Sequence, residues 1–260
     1  MELLSFNEDQ LKAFFLVLIR ISVFISMFPI FSANVIPAPV KALFSLLLSM
    51  VLFPLVGVDT DLFPESIVSF LLLIVSELIV GLVLGLAVQL FFSGVQLAGQ
   101  MIGFQMGFAI INVMDPQGGN QISIIDQIGY WVVLVVFLAL DGHHTMIWAI
   151  KESFHLVDIG TISLKRDFIA YFIHLSSGLF VLSVKVGSPA VAALLLTSAA
   201  FGISAKFAPQ MNILIAAFPV KIVIGLIFFG LSLEIIAGAT ETYLGSLRLL
   251  FRTLLTWLGG

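Results

Sequence analysis

The chain has 260 residues, of which 60% are hydrophobic and only 10% are charged, and its net charge at pH 7 is −4. Soluble domains are about 25% charged, so this composition predicts an integral membrane protein. The sequence has no cysteine, which excludes disulfides and thiolate metal sites. It also has no basic cluster of the kind that binds nucleic acid.

Long apolar segments follow one another along the chain, and such segments cross membranes as helices. We therefore expect an all-α membrane protein built of long, kinked helical hairpins. The first ten residues are acidic, unlike the basic start of a cleaved signal peptide, so the first segment is expected to remain in the mature protein. The predicted segments cover 11–31, 42–58, 67–93, 124–140, 168–186 and 209–238, followed by an amphipathic helix at 242–258.

The stretch from 94 to 121 organises the rest of the chain. Its glycines recur every four residues, which places them along one helix face, and Gln96 and Gln100 join that face. Such a stripe lets helix backbones approach closely within lipid and offers amide hydrogen bonds. The glycines predicted to pack against neighbouring helices are Gly81, Gly85, Gly99, Gly103 and Gly107.

The helical pattern around this stretch is too long for one membrane crossing. It runs from Ile67 to about Met114, about 70 Å at 1.5 Å per residue, whereas the bilayer core is about 30 Å thick. Either the chain reverses near Ser93-Gly94, or the helix continues beyond the bilayer inside an assembly. We expect the kinked or reversed hairpin.

A polar loop, Asp115-Pro116-Gln117-Gly118-Gly119, follows the glycine stripe. Irregular backbone at membrane depth occurs where it lines or blocks an opening, so this loop is the best candidate for such a role. The methionines and phenylalanines just before it could form a compliant seal around a pore or simply pack in a core. These residues are Met101, Phe104, Met106, Phe108 and Met114.

Five ionisable residues lie within or beside apolar segments. Placing a charge at the centre of a bilayer costs at least about 2.5–3.5 kcal/mol, so each needs a partner or water. Pairing between helices or subunits is the favoured interpretation, because the charges are scattered, and an ion path is the alternative. Lys185 ends its segment, and the charges predicted to be buried are Arg20, Glu77, Lys221 and Glu234.

No pattern of residues indicates catalysis or metal binding. Adjacent residues on a helix point about 100° apart, so His143 and His144 are poor co-ligands, and we expect them to cap a helix or lie at the water interface. Nucleophile elbows, phosphate loops and paired catalytic carboxylates are missing. We therefore predict no catalytic residue, no metal, no cofactor and no enzymatic activity.

Short motifs in a fixed order give the chain a family resemblance. Each is weak alone, but their order and spacing resemble FliR, a family of membrane proteins of the bacterial flagellar export apparatus whose relatives in virulence type III secretion are called SctT. One departure is Val157 to Gly160, where the family often has a proline, and we expect it to affect only a surface loop. The motifs are Arg20, Pro29, Phe31, Pro37, Pro39 and Pro54; Glu77, Gly81 and Gly85; AGQMIGFQMGFA from Ala98; Asp115-Pro116; GHHTMIWAIKESF from Gly142; PQMN from Pro209; and FPVKI from Phe218.

The resemblance implies a subunit of a helical protein-export gate in the inner membrane, at the flagellar basal body. The family joins FliP and FliQ, with FlhB-like subunits and FlhA as further partners, and unfolded export substrates pass through the gate. It also implies a FliP-like part over 1–163 and a FliQ-like helical pair over 164–260. Energy would come from the proton motive force and a separate ATPase.

The resemblance further implies a plug. The central loop of the family is thought to close the pore, and the matching segment here runs roughly from Gln105 to Gln117. The residues to which the resemblance assigns the plug are Phe108, Ile110, Ile111, Asn112, Val113, Met114, Asp115 and Pro116.

Three other functions remain open. The first is a subunit of a virulence secretion gate, although the motif QMGFAIINVMDPQ favours the flagellar branch. The second is a small-solute transporter that uses Glu77 and Lys221 as a relay. The third is a purely structural membrane scaffold.

Overall fold

The computed structural model describes residues 8–32, 36–56, 66–108, 124–163, 166–207 and 213–259. Every regular element in these ranges is a helix, so the chain has the predicted all-α fold. The helices are α1 (Glu8–Met27), α2 (Pro29–Ser32), α3 (Ala38–Leu52) with a 3₁₀ turn at Phe53–Leu55, α4 (Ile67–Met106), α5 (Ile124–Ala139), α6 (Gly142–Leu156), α7 (Arg166–Phe207) and α8 (Ile213–Gly259).

Five of the described helical segments are long and apolar enough to cross a membrane. They are α1, α3 with its 3₁₀ turn, α4, α7 and α8, and a sixth is reached if α5 and α6 together form one bent span. Since about 20 apolar residues suffice to cross the bilayer core, the chain is a membrane protein.

Helix α4 is one continuous helix of 40 residues, so the expected reversal near Ser93-Gly94 is wrong. At 1.5 Å per residue it is about 60 Å long, twice the thickness of the bilayer core. Gly94 does not reverse the chain but allows close packing, because a Cβ there would lie 2.9 Å from the side chain of Leu182. The sequence suggested a hairpin only because a single crossing needs far fewer residues.

Helices α7 and α8 are also longer than predicted, with 42 and 47 residues. Pro189 lies inside α7 and Pro219 inside α8, so neither proline ends its helix. A proline removes one backbone hydrogen bond from a helix, and helices of membrane proteins tolerate this where neighbouring groups satisfy the freed carbonyl.

The chain divides into two compact units, and the first comprises Met1–Gln89, Asp141–His174 and Leu244–Gly260. Its core is formed by α1, the first half of α4, α6 and the end of α8. The amide of Ser163 donates to the carbonyl of Leu258 at 2.8 Å, which ties the segment after α6 to the end of α8. Its fully buried side chains include Leu16, Ile21, Leu84, Met146, Ile150, Phe251, Leu254 and Leu255.

The second unit comprises Leu90–Leu140 and Leu175–Tyr243. Phe92 lies at its centre, with ring centroids 5.6 Å from both Tyr130 and Phe137. Phe91 stacks on Tyr243 at 4.2 Å with the rings almost parallel. A further apolar cluster consists of Ile102, Met106, Ile125, Ala190, Leu194 and Phe229.

The two compact units do not follow the predicted division of the chain at residues 163 and 164, because each collects segments from both halves. Compactness does not measure likeness to FliP or FliQ, so that division stays a prediction.

Candidate functional site

The first unit contains a buried ion pair between α1 and α4. Arg20 donates from Nε to Oε2 of Glu77 at 2.6 Å and from its second terminal nitrogen to Oε1 at 3.1 Å. Both side chains are 0% exposed. Two parallel hydrogen bonds between guanidinium and carboxylate fix both the distance and the orientation of the partners. Two of the four charges predicted to be buried therefore neutralise each other.

The remaining donors of Arg20 are used by the end of α6. One terminal nitrogen donates to the carbonyl and the hydroxyl of Ser153, at 2.9 and 3.2 Å, and to the carbonyl of Val157 at 3.2 Å. The guanidinium carbon also lies 4.3 Å from the centre of the Phe154 ring. A buried charge is tolerated when every donor has an acceptor, and here the end of α6 provides them.

The carboxylate of Glu77 receives a third hydrogen bond, from the amide of Gly160 at 2.9 Å. Gly160 has φ +80°, a conformation that favours glycine, and it contacts Leu73 of α4. The segment from 157 to 160 is therefore part of the buried network, and the expectation that it is only a surface loop is wrong. With three donors and no exposure, Glu77 has no free oxygen to act in a solute relay.

Two glycines allow α1 and α4 to come close enough for this pair. A Cβ on Gly81 would lie 2.6 Å from the carbonyl oxygen of Arg20, and a Cβ on Gly85 would overlap the side chain of Met27. Sequence analysis assigned both positions to helix packing, and here they bring together the backbones that carry Arg20 and Glu77.

The other two charges predicted to be buried lie differently. Glu234 is exposed on α8 and Lys221 is partly exposed, so the described part of the chain buries neither, and their pairing between subunits stays a prediction. Lys185 of α7 is exposed as well. Glu234 shares its helix face with Gly230 and Gly238, where an added Cβ would meet no described atom within 4 Å. The apolar segment around Glu234 suggested burial, but the described part of its own chain does not cover it.

In the second unit, α4 ends at a defined structure. The amide of Gly107 donates to the carbonyl of Phe104 and that of Phe108 to the carbonyl of Gly103, both at 3.1 Å. Gly107 has φ +95°, and this combination is a Schellman motif, which terminates a helix at a glycine. The helix therefore ends at Met106, not near Met114, and Gly107 is a terminating glycine, although its Cβ position also faces the Phe218 ring at 3.1 Å.

Before that end, α4 packs tightly on α5. A Cβ on Gly99 would overlap the backbone of Asp126. At the next residue, Nε2 of Gln100 donates to Oδ2 of Asp126 at 3.1 Å. Asp126 is only 4% exposed, and its other oxygen has no hydrogen-bond partner among the described residues. The carboxyl group is half satisfied, which sequence analysis did not anticipate.

A cavity of about 380 Å³ opens beside the end of α4. Phe104 in its lining is 69% exposed, whereas Phe108, past the helix end, packs against the apolar cluster around Met106. Phe108 is the only predicted plug residue within the described ranges; the others lie outside them. The lining residues are Gln100, Met101, Phe104, Gln105 and Val191.

The start of α6 carries the one group of three possible metal ligands found in the described residues. One ligand atom from each of Asp141, His143 and His144 lies within 4.8 Å of the others. Adjacency on a helix therefore does not keep the two histidines apart, since their imidazole rings lie 4.1 Å apart and are tilted by 40°. The carboxylate of Asp141, which has φ 57°, lies 3.1 Å from His144 Nδ1. The prediction of no metal stays a prediction.

Comparison with known proteins extends over nearly the whole chain. Residues 11–247 match the family described as "Bacterial export proteins, family 1". The flagellar biosynthetic protein FliR of Bacillus subtilis is 34% identical over 231 residues, which cover 88% of each chain.

Two further relatives bear the same name. FliR of Pectobacterium carotovorum is 28% identical over 92% of both chains. FliR of Escherichia coli is 27% identical over 89% of this chain and 88% of the relative. These are components of flagellar biosynthesis and not a family of enzymes. With its long apolar helices and the family match over residues 11–247, the chain belongs to the FliR family of bacterial flagellar export proteins.

Proposed function

We propose that the chain is a subunit of the flagellar type III protein-export gate, where it forms part of the wall and the plug of a conduit for unfolded subunits. FliP and FliQ would complete the wall, with FlhB-like subunits and FlhA beside them. The gate would lie in the inner membrane at the flagellar basal body. The observation that carries the proposal is the match of residues 11–247 to the export family.

The lengths of the helices support a place inside an assembly. Helices α4, α7 and α8 extend about 60–70 Å, well beyond the bilayer core of about 30 Å. Lys185 and Glu234 are exposed on otherwise apolar helices, and a charge that faces lipid is costly. Neighbouring subunits or a water-filled conduit would relieve this cost.

The end of α4 supports the plug. Gly107 stops the helix and directs the chain into the segment that contains Met114 and Asp115, and the cavity beside Phe104 lies next to that exit. A segment held between the ends of α4 and α5 could block a narrow conduit and be displaced by substrate.

The plug is tested by deleting residues 112–121 and measuring ion conductance of the assembled gate in planar bilayers. We expect normal assembly and a higher conductance than that of the unaltered gate. A matched variant replaces 112–121 with ten Gly and Ser residues, which keeps the length but removes the apolar side chains, and should leak as well. Assembled gates that lack the segment and conduct no more than the parent would refute the plug.

The assembly is tested by native mass spectrometry of the chain co-expressed with its chromosomal neighbours. One heteromer of fixed composition that contains this chain is the expected result, and it would also give the copy number. A lone monomer or homodimer would contradict the proposal of a gate subunit and favour the alternative of a small-solute transporter.

A further inference from the structure

One exposed face of the first unit combines arginine, lysine and tryptophan. It is formed by Trp148, Lys151 and Glu152 of α6 and by Arg248 and Arg252 near the end of α8, and we name it the arginine–tryptophan face. Neither the export function nor the buried Arg20–Glu77 pair uses these residues. Sequence analysis noted only that the segment 242–258, which contains both arginines, is amphipathic.

Both arginines are held on the same indole ring. The guanidinium carbon of Arg248 lies 5.7 Å from the centre of the Trp148 ring, and that of Arg252 lies 5.4 Å from it. Cation–π contacts at this distance orient a guanidinium without using its N–H donors. The ring therefore positions the two guanidinium groups and leaves their N–H donors available for hydrogen bonds.

The two arginines differ in how that capacity is used. Arg252 donates twice to Oε1 of Glu152, at 3.2 and 3.0 Å. Arg248 is exposed and makes no hydrogen bond to any described residue, so its guanidinium has donors to offer to a ligand. The guanidinium of Arg252 is therefore engaged by Glu152, whereas that of Arg248 is available to a ligand.

The charge on this face is unbalanced. Lys151, three residues after Trp148 and therefore on the same side of α6, is exposed. The face thus carries three cations and the single carboxylate of Glu152. Cations held close together repel each other, and in a poorly solvated setting an anion bound between them removes that repulsion.

The surroundings indicate where the anion would come from. In the same unit Tyr171 stacks on Trp257, with ring centroids 6.2 Å apart, and tryptophan and tyrosine concentrate at the boundary between membrane and water. Arg248 lies about 50 Å along α8 from Ile213, farther than the bilayer core is thick. A span that begins at the start of α8 therefore leaves the hydrocarbon before Arg248, so this arginine lies outside the hydrocarbon core.

We propose that the arginine–tryptophan face is a binding site for the phosphate of an anionic phospholipid. The open fork of Arg248 matches two phosphate oxygens. Arg252 and Lys151 add charge, and Trp148 lies against the glycerol region of the same lipid. An anionic headgroup is favoured over a zwitterionic one because the face has no second carboxylate to receive a choline or ethanolamine cation.

The test uses the delipidated full-length chain in detergent and native mass spectrometry with added lipid. Phosphatidylglycerol is compared with phosphatidylcholine, and inorganic phosphate and a decamer of glutamate are tested as other anions. We expect phosphatidylglycerol to bind and the three other probes to bind at least tenfold more weakly. Arg248→Gln should raise the Kd for phosphatidylglycerol about fivefold, the factor expected for one basic residue at a lipid surface.

Two further variants test whether lipid binding depends on the guanidinium of Arg248 in particular. Arg248→Lys keeps the charge and loses the fork, so its Kd should lie between those of the wild type and Arg248→Gln. Lys185→Gln removes an exposed cation from the other unit and should leave the Kd unchanged. An unaltered melting temperature for Arg248→Gln, an exposed residue, ensures that lost binding is not lost folding.

Four results would overturn the proposal. Equal binding of phosphatidylcholine would mean that the headgroup charge is not recognised. An unchanged Kd in Arg248→Gln would place the lipid elsewhere. Phosphate that binds as tightly as the lipid would identify a soluble anion as the ligand. Binding of the glutamate decamer but not of the lipid would make the face a docking site for an acidic protein segment.

Discussion

Two buried carboxyl groups, Glu77 in the first unit and Asp126 in the second, differ in how fully their hydrogen bonds are satisfied. In the first, Arg20 and Glu77 are 0% exposed and their donors and acceptors meet one another or the end of α6. In the second, Asp126 is 4% exposed and has one oxygen without a partner in the described ranges. The same unit exposes Lys185 and Glu234 on apolar helices.

This difference indicates what each carboxyl group needs from outside the chain. A satisfied buried network stabilises one arrangement without any help, whereas an unsatisfied buried oxygen carries a cost of about 1–3 kcal/mol until a donor reaches it. The Arg20–Glu77 network is complete within the single chain. Asp126 gains when a further segment or subunit supplies a donor.

The largest expected effect comes from breaking the complete network. Arg20→Met leaves Glu77 buried without its partner and should lower the free energy of unfolding by about 3–5 kcal/mol. The double variant Arg20→Met with Glu77→Leu should recover much of this loss, because two apolar side chains leave no buried charge. Unfolding in detergent of the two variants measures the difference. Glu234→Gln, at an exposed position, is the control and should change stability by less than about 0.5 kcal/mol; a double variant as unstable as the single one would refute the coupling.

The next largest effect concerns the packing of the second unit. Gly99→Leu would drive a side chain into the backbone of Asp126 and should cost about 3 kcal/mol through forced separation of α4 and α5. Gly178→Leu in α7 is the matched control, since no described atom lies within 4 Å of its Cβ position. Thermal unfolding of both variants should show a loss only for Gly99→Leu. Equal melting temperatures would contradict the close approach.

A third variant sharpens the comparison at Asp126 itself. Gln100→Leu removes the one side-chain donor to this carboxyl group and should cost about 2 kcal/mol in the isolated chain. Gln105→Leu, in the lining of the same cavity, should cost less than about 0.5 kcal/mol. If assembly supplies a second donor to Asp126, the loss in the assembled complex will be smaller. A loss that is the same in both states would mean that no partner reaches this group.

The smallest effect is expected at the end of α4. Gly107→Ala forces an L side chain into the left-handed conformation and should destabilise the chain by about 1 kcal/mol. Gly202→Ala, in the exposed interior of α7, should instead stabilise by up to about 1 kcal/mol because alanine is the better helix former. Opposite signs in a denaturant titration are the expected outcome. Stabilisation by both would contradict termination at Gly107.

Some of this arrangement was readable from the sequence. The apolar segments predicted the all-α membrane fold, and the cost of a charge in lipid predicted that Arg20 and Glu77 need partners. The sequence could not show that these two residues pair with each other, because 57 residues separate them and only the tertiary fold joins α1 to α4. The contributions of Ser153 and Val157 were missed because backbone carbonyls leave no trace in a sequence.

The errors have physical causes. A glycine in a four-residue repeat can pack a helix or end it, and at Gly107 only the backbone angle decides. The hairpin in α4 was inferred from the thickness of a bilayer, which does not limit a helix that leaves the membrane.

The Arg20 network also fixes the order in which the partners of this arginine become available during translation. Arg20 is synthesised 57 residues before Glu77 and 133 residues before Ser153, so the first helix emerges from the ribosome with an unneutralised guanidinium. An arginine at the centre of an inserting helix costs about 2.5–3.5 kcal/mol. Pairing with Glu77 relieves this cost once α4 has been made, and the network closes only when Gly160 has been added. Translation that stops before α6 should leave Arg20 with hydrogen-bond donors that have no acceptor, a signal by which unfinished chains could be recognised and degraded.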